Sequence, residues 1–249
     1  MKIKMKPLQF TSETSPRGFS LLELMIVVVL MSLIMGTVLS QIAQVQQRSR
    51  AEGVKVDIFE ECREFADQLM RDFHQAGYPN IRMFDTSGWS PALSSPSTGD
   101  SRLATGVILI SASEVQFEGD VDGDGNVDVL DYKLLATGNN CPCVQRSQVL
   151  KSTGGTTFSN ELQNVQSAGT AADPIFVAYT TTGTSITSAD MTTSAGKNSL
   201  ASIKTIQWQI KIKAAIVDPQ TGLAPETTLH GQAVIGNCSL AAANQPNSC

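Results

Sequence analysis

Residues 17–40 read RGFSLLELMIVVVLMSLIMGTVLS. Between Phe19 and Ser40, 16 of 22 residues are large and apolar, and Glu23 carries the only charge. A run of about 20 apolar residues suffices to cross a bilayer as a helix. Lys2, Lys4, Lys6 and Arg17 precede it against one acid, Glu13. That bias places the chain start in the cytoplasm and everything after Ser40 on the far side. An ordinary secretory signal differs: its apolar core is about 7–15 residues and ends at a small-residue cleavage site. Here the run is longer and no such site follows. Glu23 is the anomaly, because a carboxylate in a membrane segment costs roughly 2.5–3.5 kcal/mol by insertion scales and calls for a partner.

Arg17-Gly18-Phe19-Ser20-Leu21-Leu22-Glu23-Leu24 resembles the prepilin cleavage motif of type IV pilins and type II secretion pseudopilins. The resemblance implies that a prepilin peptidase cuts between Gly18 and Phe19 and that Phe19 is then N-methylated. It implies that Glu23, fifth in the mature chain, neutralises the terminal amine of a neighbouring subunit and so selects register during assembly. The physics agrees, since charges in apolar surroundings are tolerable only when paired. The implied fold is an α+β pilin, with a long N-terminal helix, transmembrane in its first half, packed on a C-terminal antiparallel β-sheet domain. The expected divisions are a leader at 1–18, the transmembrane part of the helix at 19–40, its amphipathic half at 41–78 and an exported β-rich domain at 79–249.

Beyond the apolar run, Ala51, Val54, Ile58, Cys62, Phe65, Leu69 and Phe73 recur at spacings of three and four. That period marks one buried face of a helix. Gly77 stands where a C-terminal cap belongs and Pro79 stops the run, so one helix is expected from Phe19 to about Ala76. From Asn80 onward the pattern changes to short strands. In Ile203–Ile216, Ile206, Trp208, Ile210 and Ile212 alternate with Gln207, Gln209, Lys211 and Lys213, as in a half-buried antiparallel strand. Glu114–Glu118, Pro174–Tyr179 and Gly231–Ile235 are further strand candidates, Asp218–Gly222 reads as a turn, and Ser/Thr/Gly-rich Thr180–Ser199 reads as a loop.

A second motif is acidic. Asp120, Asp122, Asp124, Gly125 and Asp128 occupy positions 1, 3, 5, 6 and 9 of a calcium-loop template, Asn126 offers its carbonyl at 7, and Asp131 stands at 12. A hard cation such as Ca2+ takes six to eight oxygens, and this spacing wraps them around one point. Position 12 departs from the usual glutamate, and the preceding strand pattern suggests a hairpin-borne or dockerin-like loop rather than an EF-hand. A hairpin turn without an ion is the alternative, since Asp and Gly suit turns.

Five cysteines would lie outside the cytoplasm after export, where disulfides form. Cys62 falls on the helical stripe and reads as a buried thiol. Cys238 and Cys249 resemble the C-terminal disulfide loop of many pilins. Only Pro142 separates Cys141 from Cys143, a poor geometry for bridging each other, so either is expected to pair elsewhere. The net charge of −5 disfavours a nucleic-acid partner. Neither His74 nor His230 has a catalytic arrangement around it, and G-x-S-x-G, H-E-x-x-H and a phosphate loop are absent, so no enzymatic activity is expected.

The size, the acidic loop after a strand and the late alternating strand followed by Asp218-Pro219-Gln220-Thr221-Gly222 resemble PilW-like minor pilins. This implies a protein that initiates or caps a type IV pilus, held in the bacterial inner membrane before assembly and at the fibre tip afterwards. Its implied partners are other pilins, through the N-terminal helix. A J-type pseudopilin of a type II secretion tip complex is the nearest alternative. A Ca2+-dependent adhesin or ligand-binding module at a pilus tip is the alternative of another class.

Overall fold

A computed structural model describes residues 18–80, 99–138, 140–218 and 221–236. The leader up to Arg17, the middle of the Asp218–Gly222 turn, and Cys238 and Cys249 lie outside the described residues. The chain separates into two units between Ser49 and Arg50.

Helix α1 runs Leu21–Gln75 without interruption. In its first unit the large apolar side chains are all exposed, from Phe19 at 79% to Val38 at 44%. The apolar window has mean hydropathy 2.5 and none of it is buried. Water would not tolerate such a surface; lipid or other apolar helices would. Its hydroxyls bond the helix itself: Ser32, Thr37 and Ser40 donate to the carbonyls of Val29, Ile34 and Thr37 at 2.7–2.9 Å. In an apolar medium that internal satisfaction is required.

In the second unit the predicted stripe is the buried one. Ala51, Cys62, Phe65, Leu69 and Phe73 are buried, and Val54 and Ile58 are half-buried. The helix ends where Gly77 adopts φ of +79°, a conformation that costs glycine nothing, and Tyr78 N–H caps the Gln75 carbonyl at 2.9 Å.

The remaining elements are β1 (Val107–Ile110), β2 (Glu114–Gly119), β3 (Asp128–Leu135), β4 (Cys143–Leu150), β5 (Phe158–Gln163), β6 (Phe176–Thr180), β7 (Ser185–Ile186), β8 (Ala189–Asp190), α2 (Ser194–Ala201), β9 (Ile203–Lys213) and β10 (Glu226–Val234). They form two antiparallel sheets, ordered β5-β4-β3-β2-β1-β8 and β10-β9-β6-β7. The architecture is therefore α+β, a long N-terminal helix on antiparallel sheets. Phe73 joins the layers, with ring centroids 5.2 Å from Phe117 in the first sheet and 5.8 Å from Trp208 in the second. Each such aromatic pair adds about 0.5–1.5 kcal/mol beyond area burial. Backbone contact seals the joint: a Cβ on Gly119 would stand 2.3 Å from the Gln75 carbonyl oxygen, so only glycine lets β2 approach the helix end.

Three expectations need correction. Strand β9 stops at Lys213 rather than Ile216, because the in-register bond from Ala214 N–H to the Pro225 carbonyl is the last of the ladder: proline has no N–H to return, and Ile216 beyond it is exposed. Segment Thr180–Ser199 is not one loop. It holds β7, β8 and the start of α2, where Thr193 Oγ1 accepts the Gly196 N–H at 2.9 Å as N-cap. Finally, Cys141 and Cys143 do bridge each other. The chain turns at Pro142 and brings the two Cα atoms to 4.4 Å, within disulfide range, so a single intervening residue does not prevent the bridge.

Candidate functional site

Glu23 lies in the first turn of α1, where a negative side chain is favoured by the helix dipole. Around it every large side chain from Phe19 to Val29 is apolar and exposed. The arrangement is one carboxylate on an otherwise apolar rod, the fifth residue when Phe19 is counted first. It can accept a cation from a neighbour in an apolar medium, and the pair becomes worthwhile only when both charges are present.

The acidic loop joins β2 to β3 as a hairpin, as its sequence suggested. Asp120 is buried and its two oxygens take the N–H groups of Gly123 at 2.8 Å and Gly125 at 3.1 Å. Gly123 and Gly125 have φ of +75° and +87°, which is why glycine occupies both places. Asp122 Oδ1 accepts the Asp124 N–H at 3.2 Å, and Asp124 accepts both the Asn126 N–H at 2.7 Å and its side-chain amide at 2.9 Å. Those amide bonds hold the Asp124 carboxyl below its ordinary range. One oxygen from each of Asp120, Asp122 and Asp124 falls within 4.8 Å of the others, a spacing that one cation could bridge.

Asp128 and Asp131 behave differently. Asp128, the first residue of β3, is buried and accepts Gln148 Nε2 at 2.7 Å. Burial, then the charges of Asp122, Asp124 and Asp120, push its carboxyl upward, so it feels the cluster. Asp131 does not join it. It is buried three residues further along β3, and on a strand that is about 10 Å onward and the opposite face. Burial and then the charge of Glu114 push Asp131 up to about 7, and its Oδ1 has no hydrogen-bond partner. A helix after the loop would have returned position 12 to the ion; the strand that follows here does not.

A buried polar chain between α1 and the first sheet escapes sequence patterning altogether. Asp72 Oδ2 accepts the Tyr132 hydroxyl at 2.6 Å and Arg146 Nε at 2.9 Å, and Arg146 Nη2 donates to Gln148 Oε1 at 2.9 Å. Gln148 then donates to Asp128. Burial first, and the Asp72 charge second, keep the Tyr132 phenol protonated far beyond neutral pH, so it remains a donor. The available signal was Asp72 itself, a charge three residues after Leu69 and thus on the buried stripe. Below the hairpin, Lys151 Nζ reaches Glu118 Oε2 at 2.7 Å and the Leu103 carbonyl at 2.9 Å. The Cys62 thiol, raised to about 11 by burial and then by Glu61, is unreactive at neutral pH.

Comparison with known proteins gives one match: residues 15–39 fit the family model of the prokaryotic N-terminal methylation motif. No curated protein and no solved structure matches the chain. The matched segment spans Gly18, Phe19, Glu23 and nearly all of the apolar run.

Proposed function

We propose that the chain is a minor pilin of a type IV pilus; the N-terminal methylation motif at residues 15–39 supports a pilin of the prepilin type. The motif implies processing by prepilin peptidase and assembly with other pilins, and the family is structural rather than enzymatic. The observation that carries the proposal is Glu23, the sole charge in the exposed apolar span from Phe19 to Ser40, close behind the Gly18–Phe19 junction. Residues 1–18 are the removed leader, 19–40 the inner-membrane span, 41–78 the amphipathic half of the helix and 79–249 the exported domain. The protein works by helix packing, initiating assembly or contributing to the tip complex.

Ca2+ at the acidic loop belongs to the same reading. Asp120, Asp122 and Asp124 supply carboxylates, the Asn126 carbonyl adds an oxygen, and Asp128 is a further acid that feels their charge. The cation would offset repulsion among clustered carboxylates and hold the β2–β3 hairpin.

The role in assembly is tested with Glu23→Val. Membrane insertion should persist, because the substitution makes the span more apolar. The variant should be missing from sheared fibres while the wild type is recovered there. Recovery of the variant at wild-type level would refute the role given to Glu23.

A further inference from the structure

Among the described residues the two sheets end in four edge strands, and three are blunted. β7 and β8 are two residues each, and β5 is offset from β4 by a register shift at Val144/Gln145. Short strands and bulges are the usual protections against unwanted pairing. The fourth edge, β10, has none: nine residues, Glu226–Val234, run in continuous register against β9 without proline, lysine or arginine.

The ladder fixes which groups this edge offers. Ala214 N–H bonds the Pro225 carbonyl at 2.7 Å and Ile235 N–H bonds the Lys204 carbonyl at 2.8 Å, in the same register as the strand pairs. Residues 227, 229, 231 and 233 therefore face β9. Glu226, Thr228, His230, Gln232 and Val234 turn their N–H and C=O groups outward, two residues apart. Among the described residues nothing pairs with them. Beside the strand's first residues lies a trench of about 280 Å3, walled by Lys55, Ile58 and Phe59 of α1 and by Pro225, Glu226 and Thr227. Phe59 is 58% exposed although it lines this trench.

We infer that the β10 edge receives an extended segment of a partner subunit, added as a fifth strand, with a large apolar side chain seated in the trench. This rests on the reading of the chain as an assembling pilin. An array of alternating donors and acceptors about 6.8 Å apart is the complement of another extended backbone, and no lipid or glycan repeats in that way. Main-chain bonds supply affinity and the trench supplies specificity. A second copy of this chain fits less well. Antiparallel pairing about His230 would set Ala233 of one copy opposite Thr227 of the other, and a methyl group cannot fill the trench.

Hydrogen exchange on the full-length protein tests this, comparing the isolated chain in detergent with the chain in sheared fibres and in complexes extracted from membranes. In the isolated chain the amides of Thr228, His230, Gln232 and Val234 should exchange freely. In the assembly they should slow at least about tenfold, while those of Leu229 and Ala233 are protected in both states. Gln232→Pro removes an outward N–H and spares the β9 ladder, as proline on an exposed edge does. It should melt like the wild type yet lose most of its incorporation; Leu229→Pro, which breaks the ladder, controls for misfolding. Assembled protein with freely exchanging β10 amides, or normal incorporation of Gln232→Pro, overturns the inference alone. Concentration-dependent dimers of the isolated chain that Gln232→Pro abolishes would overturn the choice of partner. Absence of the chain from every fibre and membrane complex removes the minor-pilin reading and this inference with it.

Discussion

Replacing Arg146 with methionine should be among the most damaging single changes in the second unit. The Arg146 and Asp72 side chains are only 14% and 8% exposed, and Nε meets Oδ2 at 2.9 Å. Without the guanidinium, the Asp72 carboxylate keeps a single strong donor, the Tyr132 hydroxyl at 2.6 Å. An uncompensated buried charge of this kind costs about 3–5 kcal/mol. Asp72→Asn should cost less, about 1.5–3 kcal/mol, because it forfeits charge-assisted hydrogen bonds but leaves a guanidinium still bonded to Gln148. Once residue 72 is neutral, removing Arg146 strands no charge, so the double variant should fall short of the summed singles by about 2 kcal/mol.

Urea unfolding of the full chain in detergent measures this, followed through tryptophan fluorescence in a Trp89→Phe background, so that the signal comes from Trp208, which is buried against Phe73. With a slope of about 2 kcal/mol/M, Arg146→Met should lower the midpoint by roughly 1.5–2.5 M. Tyr132→Phe should lose about 1–3 kcal/mol, with Phe65 and Phe73 still packed on the ring. Costs that add to within about 0.5 kcal/mol would show that Asp72 and Arg146 act separately, and the account of how α1 is latched to the sheet would be wrong.

Three further outcomes rest on the same geometry. Millimolar Ca2+ should raise the melting temperature over that in EDTA, and Asp120→Ala with Asp122→Ala should erase the difference; equal melting in both media would remove the cation from the loop. Asp131→Asn, measured in EDTA, should be nearly neutral near pH 4 and stabilising at pH 8. The folded carboxyl titrates near 7 against about 3.8 unfolded, so the native state binds the extra proton and wild-type stability falls as pH rises between those values. A pH-independent difference between the two proteins would refute the Glu114–Asp131 assignment. Gly119→Ala should cost about 1–3 kcal/mol or more, because its methyl would meet two backbone atoms of Gln75 within 3 Å; unchanged thermal melting would show that the helix end can yield.

What could be read from the sequence depended on whether one element carried its own pattern. The stripe from Ala51 to Phe73 and the alternation in β9 each hold their apolar period within a single element, and both are buried as expected. Strand β4 hides because its core-facing side bears Arg146 and Gln148, whose partners Asp72 and Asp128 lie 74 and 20 residues away. Apolar periodicity cannot register polar groups that become tolerable in a core only through distant bonds.

The acidic loop shows the same limit at the scale of one residue. Asp120, Asp122 and Asp124 were legible as a cluster because their convergence is local: amides between Gly123 and Asn126 bend the chain back onto them, and two left-handed glycines permit the bend. The place of Asp131 depends instead on the element into which the loop leads. In a helix it would return toward the ion after one turn; in β3 it advances and crosses to the other face, beside Glu114. A spacing template thus assigns a ligand only when the element carrying its last residue is known, and the strand character of Asp128–Leu135 makes Asp131 a buried, protonatable acid rather than a sixth ligand.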